Sequence, residues 1–127
     1  MRQRYNSGTV WENDINYSRA IRHGNTIEVS GTTAVIDGEI VGIGDAYAQS
    51  RAILKKISHS LEQLGGNIDQ VVRTRMYIVD IDDTDAVCRA HAETFAEAKP
   101  AATLVVVKEL INPSLLVEIE ATAIIDV

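Results

Sequence analysis

Two glutamates separated by one residue, Glu118 and Glu120 in the run Leu116-Val117-Glu118-Ile119-Glu120-Ala121-Thr122-Ala123, are the residues of this chain best suited to acid–base chemistry. In a strand this spacing puts both carboxylates on one face, with Val117 and Ile119 on the other. A carboxylate in a partly closed cleft loses some of its hydration, resists ionisation, and can hold or deprotonate a water. Arg73 and Arg75 alternate in the same way between Val71 and Val79. The pattern therefore also describes structural ion pairs between neighbouring strands, and both readings stand on spacing alone.

Other chemistry-bearing patterns carry less. Gly42-Ile43-Gly44-Asp45-Ala46-Tyr47 opens like a dinucleotide-binding turn but has Tyr47 where the third glycine belongs, so it reads as a turn before a helix. Asp80, Asp82, Asp83 and Asp85 lack the glycine and distal glutamate of a calcium loop. They suit a helix N-terminus, where the macrodipole favours negative charge. His23, His59 and His91 have no partner at metal-ligand spacing, so no metal site is expected. His91 shares a stripe with Val87 and Phe95 and reads as a packed histidine. Cys88, the single cysteine, can form no internal disulfide, which agrees with a reducing compartment, and reads as a small buried hydrophobe.

The elements that must position these residues follow from periodicity and turn chemistry. His23-Gly24-Asn25 separates two β-like runs, Tyr17 to Arg22 and Thr26 to Gly31, and predicts a hairpin; Asp37-Gly38 predicts a second within Val35 to Ile43. Ala46, Ile53, Leu54, Ile57, Leu61 and Leu64 recur at helical spacing from Asp45 to Leu64, before the stop signal Gly65-Gly66. Val71 to Val79 predicts a strand with Val72, Met76 and Ile78 on one face and Arg73, Arg75 and Tyr77 on the other. A second helix is expected from Thr84 to Ala98, ended by Lys99-Pro100. Thr103 to Val107 and Leu115 to Ile125 supply the last strands. This order suits a two-layer α+β domain, a mixed sheet with two helices packed on one face. The opposite face would carry Val71, Tyr77 and Val105 beside Arg73, Arg75, Glu118 and Glu120, a mixture that calls for cover, most simply by self-association.

The 127 residues have room for a single domain, residues 1–127, and a 46% hydrophobic content supports a packed core. Twelve Lys and Arg against 18 Asp and Glu give a net charge of −6, which argues against nucleic acid as a partner. No apolar run approaches the roughly 20 residues of a membrane span, so no membrane association is expected and the location is read as cytoplasmic. No cofactor motif is present.

Five blocks, in order through nearly the whole chain, resemble the Rid (YjgF) family: Tyr17 with Gly24-Asn25-Thr26-Ile27-Glu28-Val29-Ser30-Gly31, then Leu64-Gly65-Gly66, Val72 to Asp83, Lys99-Pro100-Ala101, and Val117-Glu118-Ile119-Glu120-Ala121. The resemblance implies a chorismate-mutase-like fold and a homotrimer whose ligand clefts lie between subunits. It further implies hydrolysis of reactive 2-imino and enamino acids to 2-keto acids and ammonia. Tyr17 and Ser30 fall on residues that line the family cleft, Gly31 on one that offers its backbone N–H, and Glu118 on the acid associated with the attacking water. Active members read Pro-Ala-Arg-Ser where this chain reads Pro100-Ala101-Ala102-Thr103. Ala102 thus replaces an arginine that clamps the substrate carboxylate through two parallel hydrogen bonds. Three readings follow: a neutral or differently charged imine, enamine or amide-like ligand; a non-catalytic binding or regulatory trimer; or Arg75 supplying the guanidinium, against which pairing of Arg75 with Glu120 is the plainer expectation.

Overall fold

The fold is that of a computed structural model describing residues 1–126. Strands β1 (Arg2–Tyr5), β2 (Ala20–His23), β3 (Thr26–Thr32), β6 (Val71–Ile78), β7 (Ala101–Val106) and β8 (Val117–Ile124) form one sheet in the order β1-β2-β3-β8-β6-β7. Every pairing is antiparallel except β6 with β7. Strands β4 (Val35–Ile36) and β5 (Glu39–Ile40) make a separate small hairpin. The helices are α1 (Val10–Ile15), α2 (Ala46–Gln63) and α3 (Thr84–Thr94), of which α2 and α3 cover one face of the sheet. This is the expected α+β architecture.

Helix α2 holds the core together. Asp45 caps it by accepting from the Ala48 N–H at 3.0 Å. Its apolar residues Ile53, Leu54, Ile57 and Leu61 are all buried. Gly65, at φ +85°, lets the chain leave the helix while the Gly66 N–H bonds the Leu61 carbonyl at 2.9 Å. The buried face meets Val117, Ile119, Ala121 and Ala123 of β8, which alternate with Glu118, Glu120 and Thr122 on the other side of the sheet. Among the described residues no helix is long and apolar enough to cross a membrane.

Several expectations are corrected. A register shift between Val71 and Arg73 inserts a bulge into β6, so Val71 enters the core at 2% exposure while Val72, expected beside Met76 and Ile78, is 42% exposed. Alternation cannot reveal an inserted residue. Helix α3 ends at Thr94 rather than Ala98, and Lys99 adopts φ +46° before Pro100. Strand β7 begins at Ala101, where its pairing with Arg73 starts, and β8 begins at Val117 rather than Leu115. Cys88 is exposed rather than buried. His91 is half-buried, with Nε2 2.8 Å from Thr74 Oγ1 on β6. Strand β1 and helix α1 carry no periodic signal: β1 reads Arg-Gln-Arg-Tyr, and the one buried residue of α1 is Glu12.

Gln49, fully buried on α2, ties two loops to the core. Its Nε2 donates to the carbonyls of Ser114 (2.9 Å) and Gly42 (3.3 Å), and its Oε1 accepts from the Leu116 N–H (2.8 Å). Gln49→Leu keeps the volume and leaves the Ser114 carbonyl and the Leu116 N–H unpaired, while the Gly42 carbonyl keeps the Asp45 N–H at 2.9 Å; urea unfolding should report a loss of about 2–4 kcal/mol, and a loss under about 0.5 kcal/mol would show that the loops hold without this link.

Candidate functional site

A cleft of about 820 Å³ opens beside the C-terminal end of β3 and the N-terminal end of β8. Arg19, just ahead of β2, lies in its wall with only 8% of its surface exposed. Its Nη1 donates to the Gly31 carbonyl (2.6 Å) and to Thr32 Oγ1 (3.3 Å), and its Nη2 to the Tyr17 hydroxyl (2.8 Å). Its Nε lies 3.5 Å from Glu12 Oε2. Because the Tyr17 oxygen accepts from Arg19, its own O–H is left to donate elsewhere.

Glu12 explains the short helix α1. Thr9 caps it, Asn16 ends it in a left-handed conformation (φ 64°), and Glu12 turns inward, 1% exposed. Its carboxylate accepts from the Ser7 N–H (2.7 Å), the Ser7 hydroxyl and the Thr9 hydroxyl (2.7 Å). Burial pushes this carboxyl up, but those hydrogen bonds and the Arg19 charge outweigh it and hold it below the usual carboxylate range. Val10, Trp11 and Ile15 remain exposed and face the cleft as an apolar wall.

Glu118 is half-buried against the cleft and takes no hydrogen bond or ion pair from another described residue. Desolvation pushes its carboxyl up, Arg19 partly opposes this, and Glu120 adds to the rise. Its carboxylate lies against Gly31, where any Cβ would sit 2.1 Å from Oε2. Across β8, β3 shifts register between Val29 and Thr32, taking Ser30 and Gly31 out of regular pairing at this point. Glu120 is committed elsewhere: the Tyr77 hydroxyl donates to Oε1, and Arg75 Nη1 lies 3.7 Å from Oε2. The opposite wall comes from the β4–β5 hairpin and from Lys56 on α2, whose Nζ donates to the carbonyls of Thr33 and Val35, both at 2.8 Å.

Of the residues singled out from the sequence, Tyr17, Gly31 and Glu118 line this cleft together. Ser30 turns away, its hydroxyl donating to the Ser18 carbonyl at 2.7 Å. Ala102 and Thr103 sit on edge strand β7, in register with Thr74 and Arg75, and Thr103 Oγ1 accepts from Arg73 at 2.6 Å. Neither lines the cleft of its own chain. Arg75 faces Glu120, the plainer of the two expectations for it. Arg19, Glu12 and Lys56 escaped the sequence reading because their spacing carries no signal; a charge within a polar stretch becomes informative only when it is buried.

A carboxyl whose pKa is higher in the folded than in the unfolded protein makes the folded state bind more protons between the two values. Stability therefore falls as pH rises through that window, and the deficit persists above it. Glu118→Gln should accordingly raise Tm at pH 7 and give little advantage near about pH 3, where the acid is almost fully protonated in both states. Thermal melts at the two pH values check this, and an unchanged Tm at pH 7 would mean that Glu118 is adequately solvated.

The family described as Endoribonuclease L-PSP matches residues 11–125. A protein of Streptomyces coelicolor is 36% identical over 121 residues, covering 95% of this chain and 90% of the relative. The 3-aminoacrylate deaminase RutC of Acinetobacter baylyi is 34% identical over 108 residues, covering 84% and 85%. The crystal structure of a YjgF/YER057c/UK114-family protein from Mycobacterium tuberculosis superimposes with a TM-score of 0.90 at 40% identity, covering 98% of this chain and 100% of that one. A solved Rid-family protein from Yersinia pestis gives 0.85 at 28% identity, covering 98% and 100%. With sequence and fold matched over nearly its whole length, the chain belongs to the Rid (YjgF) family.

Proposed function

We propose that this chain acts as a single domain, residues 1–127, in a cytoplasmic homotrimer that hydrolyses a small imine or enamine to a carbonyl compound and ammonia in a cleft completed by a neighbouring subunit. The observation that carries this reading is Glu118: a half-buried carboxyl with raised pKa and no hydrogen-bond or ion-pair partner among the described residues, facing a cleft into which Tyr17 can donate. The name of the RutC relative supports the ligand class, since 3-aminoacrylate is an enamine carboxylate.

In this reading the ligand enters as the protonated imine, formed from an enamine by protonation at carbon. Glu118 takes a proton from water as the water oxygen bonds to the imine carbon, and the C=N electron pair moves to nitrogen. The resulting carbinolamine gains a proton on nitrogen, loses one from its hydroxyl, and expels ammonia as the carbonyl forms. Tyr17 donates to the ligand or the attacking oxygen. Ala102, on an exposed edge strand, would face the neighbour's cleft without offering a carboxylate clamp, so ordinary 2-imino acids are poor substrates. A non-catalytic, ligand-binding trimer is the second reading, and Ala102 is the residue that favours it.

The direct test pairs assembly with turnover. Light scattering should give about three times the monomer mass for wild type and Glu118→Gln alike, while the variant loses at least about 100-fold of any imine- or enamine-hydrolysing activity. Full activity in the variant would leave Glu118 a structural role, and a monomer would remove the intersubunit cleft. Ala102→Arg should create or raise turnover of 2-iminobutyrate generated in situ by tenfold or more, on the order of the worth of a bidentate contact. Rapid turnover of that compound by wild type would show that the arginine is dispensable.

A further inference from the structure

Of the two cations that line the cleft among the described residues, Arg19 is buried within the wall and Lys56 is partly exposed. The Arg19 guanidinium is enclosed by Glu12, Gly31, Thr32 and Tyr17. An ammonium has three N–H groups; two from Lys56 reach the carbonyls of Thr33 and Val35, both cleft residues, and the third has no partner among the described residues. Lys56 also stands where the cleft meets a second concavity of about 630 Å³, and of the five charged residues lining that space, Arg19, Arg51, Lys55 and Lys56 are cationic and Asp37 alone is acidic. This local excess of positive charge belongs to a chain whose net charge is −6. Burial and the neighbouring Arg19 disfavour the lysine's charge and outweigh the support it has from Glu12, an imbalance that an incoming anion relieves.

We propose that Lys56 binds the carboxylate of the ligand, so that the cleft takes a monoanionic imine or enamine through a lone ammonium on α2 rather than through a planar arginine fork. This rests on the proposed function for the reacting group, and the anion site stands on its own geometry. A lysine offers a point charge with rotatable donors, so it accepts a carboxylate at several orientations where a guanidinium fixes one. The cleft then tolerates ligands whose carboxylate lies at different distances from the carbonyl or imine carbon, with Val10, Trp11 and Ile15 providing apolar contact for the rest.

The test uses unreactive keto acids with increasing separation between the two groups, 2-oxobutyrate, acetoacetate and 4-oxopentanoate, each beside its neutral methyl ester. Binding to the assembled protein is measured by calorimetry or NMR titration for wild type, Lys56→Gln and Lys56→Arg. Wild type should bind at least one acid about tenfold or more tightly than its ester, with the preference falling as salt is raised. Lys56→Gln, which keeps donors for Thr33 and Val35, should remove the preference and leave ester binding unchanged, and Lys56→Arg should retain it. Equal affinity for acid and ester in wild type, no acid bound, or a preference surviving in Lys56→Gln would each overturn the proposal. Should Lys56→Gln lose the oligomer, the Lys56 side-chain NMR signals of wild type decide: they should shift on titration with the acid and not with its ester, and unshifted signals would overturn the proposal. A Lys56-dependent acid preference in a protein that hydrolyses no imine would remove the catalytic reading and leave the anion site standing.

Discussion

Burial of the Arg19 guanidinium is the constraint around which the site is organised. A charged group with 8% of its surface exposed must have its N–H groups met by the protein, because a buried charge deprived of its partner costs about 3–5 kcal/mol. Each partner brings a different part of the chain into place. Glu12 holds down the N-terminal segment, Gly31 and Thr32 fix the distorted end of β3, and Tyr17 is tied to the cleft wall through its hydroxyl oxygen. Helix α1 is accordingly a strap whose one buried side chain is a carboxylate, and its apolar residues are left to face the cleft.

The same charge moderates its neighbours. Arg19 limits how far desolvation raises the Glu118 carboxyl, and it makes protonation of Lys56 less favourable. Gly31 is what allows Glu118 to sit in this position, since a side chain there would occupy the space of the carboxylate. A glycine in a strand interior ordinarily weakens the strand. Here, beside a register shift, it leaves room for a carboxyl that packs against backbone and takes no hydrogen bond from it. An acid in such surroundings costs stability, and groups of this kind concentrate where function requires them.

The helix-free face of the sheet shows how polar residues are satisfied away from the cleft. Arg75, Glu120 and Tyr77 engage one another across β6 and β8, and Arg73 reaches Thr103 on β7. Glu118 lies one step along the strand from this network and is excluded from it. Of two carboxylates with the same spacing pattern, one is therefore tied into a surface network and the other is held free.

The sequence by itself determined the order of elements from β2 onward, the α+β class, the buried face of α2 and the division of β8 into an apolar side and a glutamate side. Periodicity and turn residues are local properties, legible wherever a whole segment obeys them. It also set apart Tyr17, Gly31 and Glu118, through the resemblance to the Rid family. Tertiary structure alone decided which glutamate is free, that Ser30 turns toward the Ser18 carbonyl, that a bulge reverses Val71 and Val72, and that Arg19, Glu12 and Lys56 belong to the cleft. The physical reason is the same in each case: whether a polar residue is satisfied depends on partners distant in the chain, and an inserted residue changes the facing of a strand without altering its composition.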